Sequence, residues 1–290
     1  MAPFDAPDGE DASRLLQARN GRYPTPRSPF WTLSARKGNA AAPYNRLLAA
    51  LSSGDFHRLG LDFQLVRLRA GDVLAEPGDP VQDIWFPETC IVTLTVYMEE
   101  GSTAEVGILG FDGMVGYPAA FGDCRALTRA VVQVAGDAFR VRARPVLAAF
   151  EASSGFRRLM LRYIGALHGE VLQSAACHAL HPTELRLARL LLMFQERGRG
   201  GAAMPLTHEL LAGMLGVQRT TVTAAAGALQ REKLIAYRHG MIEILDRAGL
   251  EKAACECYHV IRSHCEYLLP SPAANSVGAE LEQAGNPSCP

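Results

Sequence analysis

Residues 206–230, reading LTHELLAGMLGVQRTTVTAAAGALQ, constrain the fold more than any other stretch of this chain. Ala212 is small enough for a second helix to cross close to the first. Gly216, four residues on, tolerates the positive φ that a tight turn demands. Val217 follows as an apolar anchor, and Val222, Ala225, Ala226 and Leu229 recur at the spacing of a helix with one buried face. Thr207, just ahead of His208, Glu209 and Leu210, is suited to cap the first helix. The pattern predicts a helix-turn-helix whose second helix is presented outward, the geometry that enters a DNA major groove.

A helical hairpin buried in a core would share the same Ala and Gly spacing, so the flanking sequence decides. Two β-rich runs follow, ending at Tyr237 and beginning at Met241, around Arg238, His239 and Gly240. They read as a hairpin. A helix-turn-helix followed by a hairpin is a winged helix, here with a basic wing tip. Gln218, Arg219, Thr220, Thr221, Thr223, Arg238 and His239 are the residues this places toward double-stranded DNA.

The formal net charge of −1 carries no global nucleic-acid signature, so the basic footprint must be local. Between residues 231 and 239 it is: Arg231, Lys233 and Arg238 stand against Glu232 alone. The 290 residues suffice for two cored domains. No run of about 18 apolar residues occurs and the N-terminus lacks an apolar signal core, which predicts a cytoplasmic protein without membrane association.

The 7 cysteines are scattered, at 90, 124, 177, 255, 257, 265 and 289, without a CxxC pair. They predict neither a disulfide framework nor zinc. Cys255 and Cys257 fall in a stretch read as helix, hence on opposite sides, poorly placed to share a metal with His259, His264 and Cys265. No metal site is expected.

Taken in order, residues 1–42 hold several prolines without periodicity and read as a flexible arm. Residues 43–60 carry a helical stripe of Leu47, Leu48, Leu51 and Leu59. From about 62 to 142, short β runs alternate with glycine turns, predicting a small antiparallel sandwich or barrel within a domain at 43–150. Phe156, Met160, Tyr163, Ile164, Leu167 and Val171 mark a helix over 156–180, inside a connecting segment at 151–181. Its length and position suit dimerisation through a coiled-coil-like seam. His181-Pro182 stops it, and Thr183 caps a leucine-rich helix over 184–195 that opens the DNA-binding unit at 182–268. Gly198, Gly200 and Gly201 form a loop, and residues 269–290 read as a polar, disordered tail.

This order of parts resembles the Crp/Fnr family, the cyclic AMP receptor protein and fumarate-nitrate reductase regulators of bacterial transcription. The likeness covers about residues 45–268 and is strongest over 206–245. Arg69-Ala70-Gly71-Asp72, Pro77-Gly78-Asp79 and the series Gly107, Gly110, Gly113, Gly116 support it in the β region. The resemblance implies an α+β chain: an eight-stranded cyclic-nucleotide-binding-like β jelly roll, a dimerisation helix and a winged helix-turn-helix. It also implies a homodimer on near-palindromic DNA, with RNA polymerase as a further partner.

The chain departs from the family at both sites. Nucleotide-binding members carry a Gly-Glu pair that holds the ribose and a later Arg-Ser or Arg-Thr pair that holds the phosphate. Here Gly116 precedes Tyr117, and the later pair reads Thr128-Arg129. Gly107, Gly116, Tyr117 and Arg129 are the candidate effector residues, and the effector is expected not to be cyclic AMP. In the recognition helix Arg219 matches the family's first arginine, Thr220 replaces its glutamate and Ala224 its second arginine. A different operator half-site follows.

No cofactor is expected: the segment 1–42 has no cysteine to hold an iron–sulfur cluster, and nothing selects a haem ligand. The alternatives are a cyclic-nucleotide-responsive regulator and a small-molecule- or metal-binding barrel. Residues 62–142 contain no histidine, which removes cupin-type metal sites and a Ser-His-Asp arrangement in the barrel, and no enzymatic activity is expected.

Overall fold

The computed structural model describes residues 43–51, 63–99, 103–122, 125–198 and 203–269. The expected arm at 1–42, Leu59, Cys124, Gly200, Gly201, Cys289 and all of the tail but Leu269 lie outside these residues. Leu269 itself is buried.

The β region matches its sequence pattern closely. Strands β1 (Gln64–Leu68), β2 (Val73–Ala75), β3 (Asp83–Pro87), β4 (Ile91–Tyr97), β5 (Thr103–Leu109), β6 (Arg129–Val134) and β7 (Gly136–Arg142) form two antiparallel sheets. Their orders are β1-β7-β3 and β2-β6-β4-β5. Among the described residues there are thus seven strands where the resemblance implied eight. The remaining edge is reduced to isolated bridges, Pro80 to Arg125 and Trp85 to Val115. Ile84, Phe86, Val92, Leu94, Val132 and Val141 fill the space between the sheets, each an apolar or β-branched side chain suited to a pleated surface.

A short helix, α1 (Arg46–Ala49), is tied to this region by Asn45. The Asn45 side chain caps the helix, accepting from the Leu47 and Leu48 amides, and donates to the Pro87 and Gly113 carbonyls at 3.0 and 2.9 Å. A helix that the sequence pattern did not mark, α2 (Ala143–Ala152), follows β7. Pro145 occupies its first turn, where the missing amide hydrogen has no intrahelical acceptor to lose.

The connecting helix is α3 (Ser154–Leu180), capped by the Ser153 hydroxyl on the Phe156 amide. Its stripe of Phe156, Met160, Tyr163 and Leu167 is buried against the chain's own body. The Tyr163 hydroxyl, for instance, bonds the Met114 backbone at both its N–H and its carbonyl. That stripe is therefore not the free seam the sequence suggested. The opposite face is the exposed one, with Leu161 at 55% and Leu172 at 58% exposure.

Next comes α4 (Thr183–Arg197), with Thr183 as its first residue and Pro182 in the cap position, so Thr183 does not cap it as expected. Leu187, Leu190, Leu191, Leu192 and Phe194 bury almost all round the helix. They join a single core that reaches Ile91 and Ile108 of the sheets on one side and Val222 and Leu229 on the other. The DNA-binding unit continues with β8 (Ala203–Met204), α5 (His208–Leu215), α6 (Arg219–Arg231), β9 (Ile235–Arg238), β10 (Met241–Ile244), α7 (Arg247–Ala253) and α8 (Cys257–Leu268). β8 adds a third strand to the predicted hairpin, in the order β8-β10-β9.

One cysteine expectation fails here. Helix α7 ends at Ala253 and α8 begins at Cys257, so Cys255 lies in the turn between them, not on a helix opposite Cys257. Both thiols face the same buried group of side chains.

Candidate nucleic-acid interface

The helix-turn-helix closes by the local chemistry its sequence encodes. Thr207 caps α5 by accepting from the Leu210 amide at 3.2 Å. Gly216 ends α5 in the left-handed region at φ 63, and the Val217 amide turns back to the Ala212 carbonyl at 3.1 Å. Arg186, buried on α4, donates to the Leu215 carbonyl at the same helix end. This anchor was invisible in the sequence, where Arg186 reads as one charge on a leucine-rich helix.

Helix α6 buries Val222, Ala225, Ala226 and Leu229, as its periodicity predicts. Arg219, Thr220, Thr221, Thr223 and Ala224 are exposed, as is Gln218 in the N-cap position. The Gln218 side chain makes no cap bond. The first turn of α6 therefore offers outward amide N–H groups and the positive end of the helix dipole beside a guanidinium, a setting that attracts phosphate.

The wing tip is a two-residue turn in which His239 and Gly240 both have positive φ, 50 and 77. That is the type I′ geometry favoured by hairpin twist. Arg238 and His239 are exposed on it.

His208 makes contacts across the site that sequence reasoning passed over. Its ring stacks on Tyr237 of the wing, with centroids 4.0 Å apart and an interplanar angle of 19°. Its Nδ1 lies 3.0 Å from Thr223 Oγ1, whose hydroxyl donates to the Arg219 carbonyl at 3.0 Å. Burial first, and the Arg219 charge second, hold the His208 ring below the ordinary histidine range. The neutral ring, donating from Nδ1, thus joins α5, the second turn of α6 and the wing. The Thr223 hydroxyl is thus committed inside the chain, although the residue itself is exposed.

The barrel side is less developed. Gly116 and Tyr117 line a cavity of about 20 Å³ with Val81, Leu94, Val115 and Leu127, room for about one water molecule. A Cβ at Gly116 would stand 2.9 Å from the Asp83 carbonyl oxygen. Arg129 is not among the lining residues: it pairs with Glu76 at 3.1 Å and lies over the Tyr97 ring. Gly107 sits opposite Leu94 in the β4–β5 ladder. The four candidate effector residues are thus not brought together. A larger cleft, about 1110 Å³, separates Thr93, Thr95, Glu105 and Gln133 of the sheet from Gly213, Gln218 and Arg219.

A jelly-roll-like domain, a long helix and an outward-facing winged helix-turn-helix, carried on the same chain, are the parts of a transcriptional regulator. Residues 65–153 match the family model described as a cyclic nucleotide-binding domain, and residues 185–253 match the Crp-like helix-turn-helix domain. Transcriptional regulator SdrP of Thermus thermophilus is 29% identical over 197 residues, spanning 66% of this chain and 94% of that protein. A putative Crp/Fnr-family regulator from Eubacterium rectale shares the fold with a TM-score of 0.58 at 17% identity, over 72% of this chain and 98% of that one. FixK2 from Bradyrhizobium japonicum does so with a TM-score of 0.55 at 16% identity, over 67% and 98% of the two chains. The chain belongs to the Crp/Fnr family of transcriptional regulators. Among the described residues no helix is long and apolar enough to cross a membrane.

Proposed function

We propose that this chain acts as a non-enzymatic, cytoplasmic homodimer that reads a near-palindromic operator through α6. The observation that carries the reading is the division of α6 into a fully buried apolar face and an exposed face starting at Arg219. Arg219 is the base-specifying residue, its fork suited to guanine O6 and N7, with Thr220 and Thr223 completing the readout. Gln218, Thr221, Arg238 and His239 hold phosphate and sugar, which orient the protein without specifying sequence.

The dimer forms along the exposed face of α3. Leu161, His168, Leu172, Ala175 and Ala179 are exposed there at steps of seven, four, three and four, the spacing of a coiled-coil seam. The small residues among them let two helix backbones approach closely. Leu172→Asp is expected to give a monomer by light scattering and to abolish tight operator binding. A dimeric Leu172→Asp protein would move the interface elsewhere.

The effector in this reading is not cyclic AMP, and no iron–sulfur cluster is involved. The one-water cavity at Gly116, the tyrosine in place of a ribose-binding carboxylate and the engagement of Arg129 with Glu76 support an effector other than cyclic AMP. Contact with RNA polymerase follows the family pattern. The function as a whole is tested by selecting bound sequences from random DNA. Two-fold symmetric half-sites about one helical turn apart are expected, and recovery of no enriched sequence would overturn the reading.

A further inference from the structure

Three thiols and one imidazole converge where α3 ends and α7 passes into α8. Cys177 and His181 are four residues apart, on the last turn and at the cap of α3, and so share a face. Cys255, in the α7–α8 turn, and Cys257, the first residue of α8, flank Glu256. One ligand atom from each of Cys177, His181, Cys255 and Cys257 lies within 4.8 Å of all the others. Cys177 Sγ is 3.5 Å from Cys255 Sγ, and Cys257 Sγ is 3.5 Å from His181 Nδ1.

A tetrahedral ion with metal–sulfur bonds of about 2.3 Å and a metal–nitrogen bond of about 2.0–2.1 Å sets its ligand atoms roughly 3.6–3.8 Å apart. The two separations of 3.5 Å fall just short of that spacing. The surroundings are also those of a ligand set. His181 Nε2, the ring nitrogen facing away from the cluster, is 3.3 Å from a Glu256 carboxylate oxygen, the outer-shell contact that fixes the tautomer and strengthens a ligating histidine. The three cysteines are buried, and so are Arg186 and Arg189, whose positive charges act on the Cys177 sulfur.

Simple burial of small apolar side chains does not account for an imidazole nitrogen turned into the cluster with its partner nitrogen held by a carboxylate. A Cys177–Cys255 disulfide would use two of the four groups and leave the other two without a purpose.

We propose that Cys177, His181, Cys255 and Cys257 form a closed structural site for one zinc-class divalent ion, clasping the end of α3 to the α7–α8 turn. Three sulfurs and one nitrogen suit a borderline-soft cation, and four protein ligands leave no open position for catalysis. On binding, the three thiols release their protons to solvent and the histidine coordinates as the neutral ring. The ion and three thiolates then carry one net negative charge, opposite Arg186 and Arg189. The clasp fixes the DNA-binding unit relative to the connecting helix, independently of which operator is read.

The test uses the full chain, purified reduced and without chelator, then supplied with zinc and desalted. One zinc per chain is expected by elemental analysis. Cobalt replacing zinc is expected to show thiolate charge-transfer bands and the intense visible absorption of a tetrahedral centre. Alkylation mapped by mass spectrometry is expected to spare Cys177, Cys255 and Cys257 until a chelator is added. Cys257→Ser is expected to lose the ion, and Glu256→Gln to weaken its binding about tenfold, while Cys90→Ala retains it. Less than a tenth of an equivalent of zinc in the reduced wild-type chain would overturn the proposal. So would unchanged zinc affinity in Cys257→Ser, or a Cys177–Cys255 disulfide persisting in reduced, zinc-supplied protein. The first and third readings need no variant, so misfolding of a cysteine variant does not blunt the test.

Discussion

Arg197 closes both arms of its guanidinium on the Glu170 carboxylate, at 2.9 Å for Nη1–Oε1 and 2.6 Å for Nη2–Oε2. The same side chain reaches Asp112 at 3.1 Å through Nε and the Ile108 carbonyl through Nη1. A single buried node therefore joins the last residue of α4, the middle of α3 and the end of the β5 region. Removing one member of a buried pair leaves a charge without a partner, a loss of about 3–5 kcal/mol, whereas replacing both members with apolar or neutral groups is far milder. Arg197→Met is expected to destabilise the chain by about 3–5 kcal/mol. The Arg197→Met, Glu170→Gln double variant is expected to recover part of that loss. Urea midpoints of the three proteins check both, and a double variant worse than the single one would contradict the pairing.

Gly110 makes the node accessible by having no side chain. A Cβ at Gly110 would stand 2.6 Å from the Arg197 Cβ and 2.8 Å from its carbonyl oxygen. Because a backbone atom is in the way, rotamer changes cannot relieve the clash. Gly110→Ala is expected to cost about 1–3 kcal/mol, visible as a lower thermal midpoint. An unchanged midpoint would mean that α4 and the β5 end move apart freely.

Glu105 on β5 gives the fold a pH signature. The residue is half-buried at the cleft, and desolvation of its carboxyl pushes it up to about 8, with Arg189 and Arg197 opposing the rise and Glu170 adding to it. The folded chain then keeps a proton that the unfolded chain releases near the ordinary value of 4.5. Folding takes up a proton between those two limits, so this group's contribution to stability falls as pH rises from about 4.5 to about 8 and is flat above that. Glu105→Gln removes the slope. Thermal midpoints collected across that range should decline less steeply for the variant, and parallel profiles would remove Glu105 as the source.

The elements built from local repetition were legible in the sequence. The buried face of α6, the turn at Gly216, the cap at Thr207 and the strand runs all follow from spacing or from one residue's backbone preference. Contacts between distant segments were not. Arg197 meets Asp112 across 85 residues, and no periodicity encodes which arginine on a leucine-rich helix will find which carboxylate. The apolar stripe of α3 was visible, but not that it packs on its own chain while Leu161 and Leu172 stay exposed. The relation of Cys255 to Cys257 was not legible for a related reason: Cys255 lies where the chain turns between two helices, not on one continuous helix. His208 escaped because its role depends on Tyr237, which only the folded wing brings beneath it.

The central claim, that Arg219 at the start of α6 specifies the operator, is tested most directly by binding of the selected operator and its single-base variants to wild type, Arg219→Ala and Arg238→Ala. Arg219→Ala is expected to lose about 1–3 kcal/mol of discrimination at one guanine of each half-site. Arg238→Ala is expected to weaken all sequences alike and to make the slope of log affinity against log salt shallower by about one for each phosphate no longer neutralised. Unchanged affinity and base preference in Arg219→Ala would contradict the account.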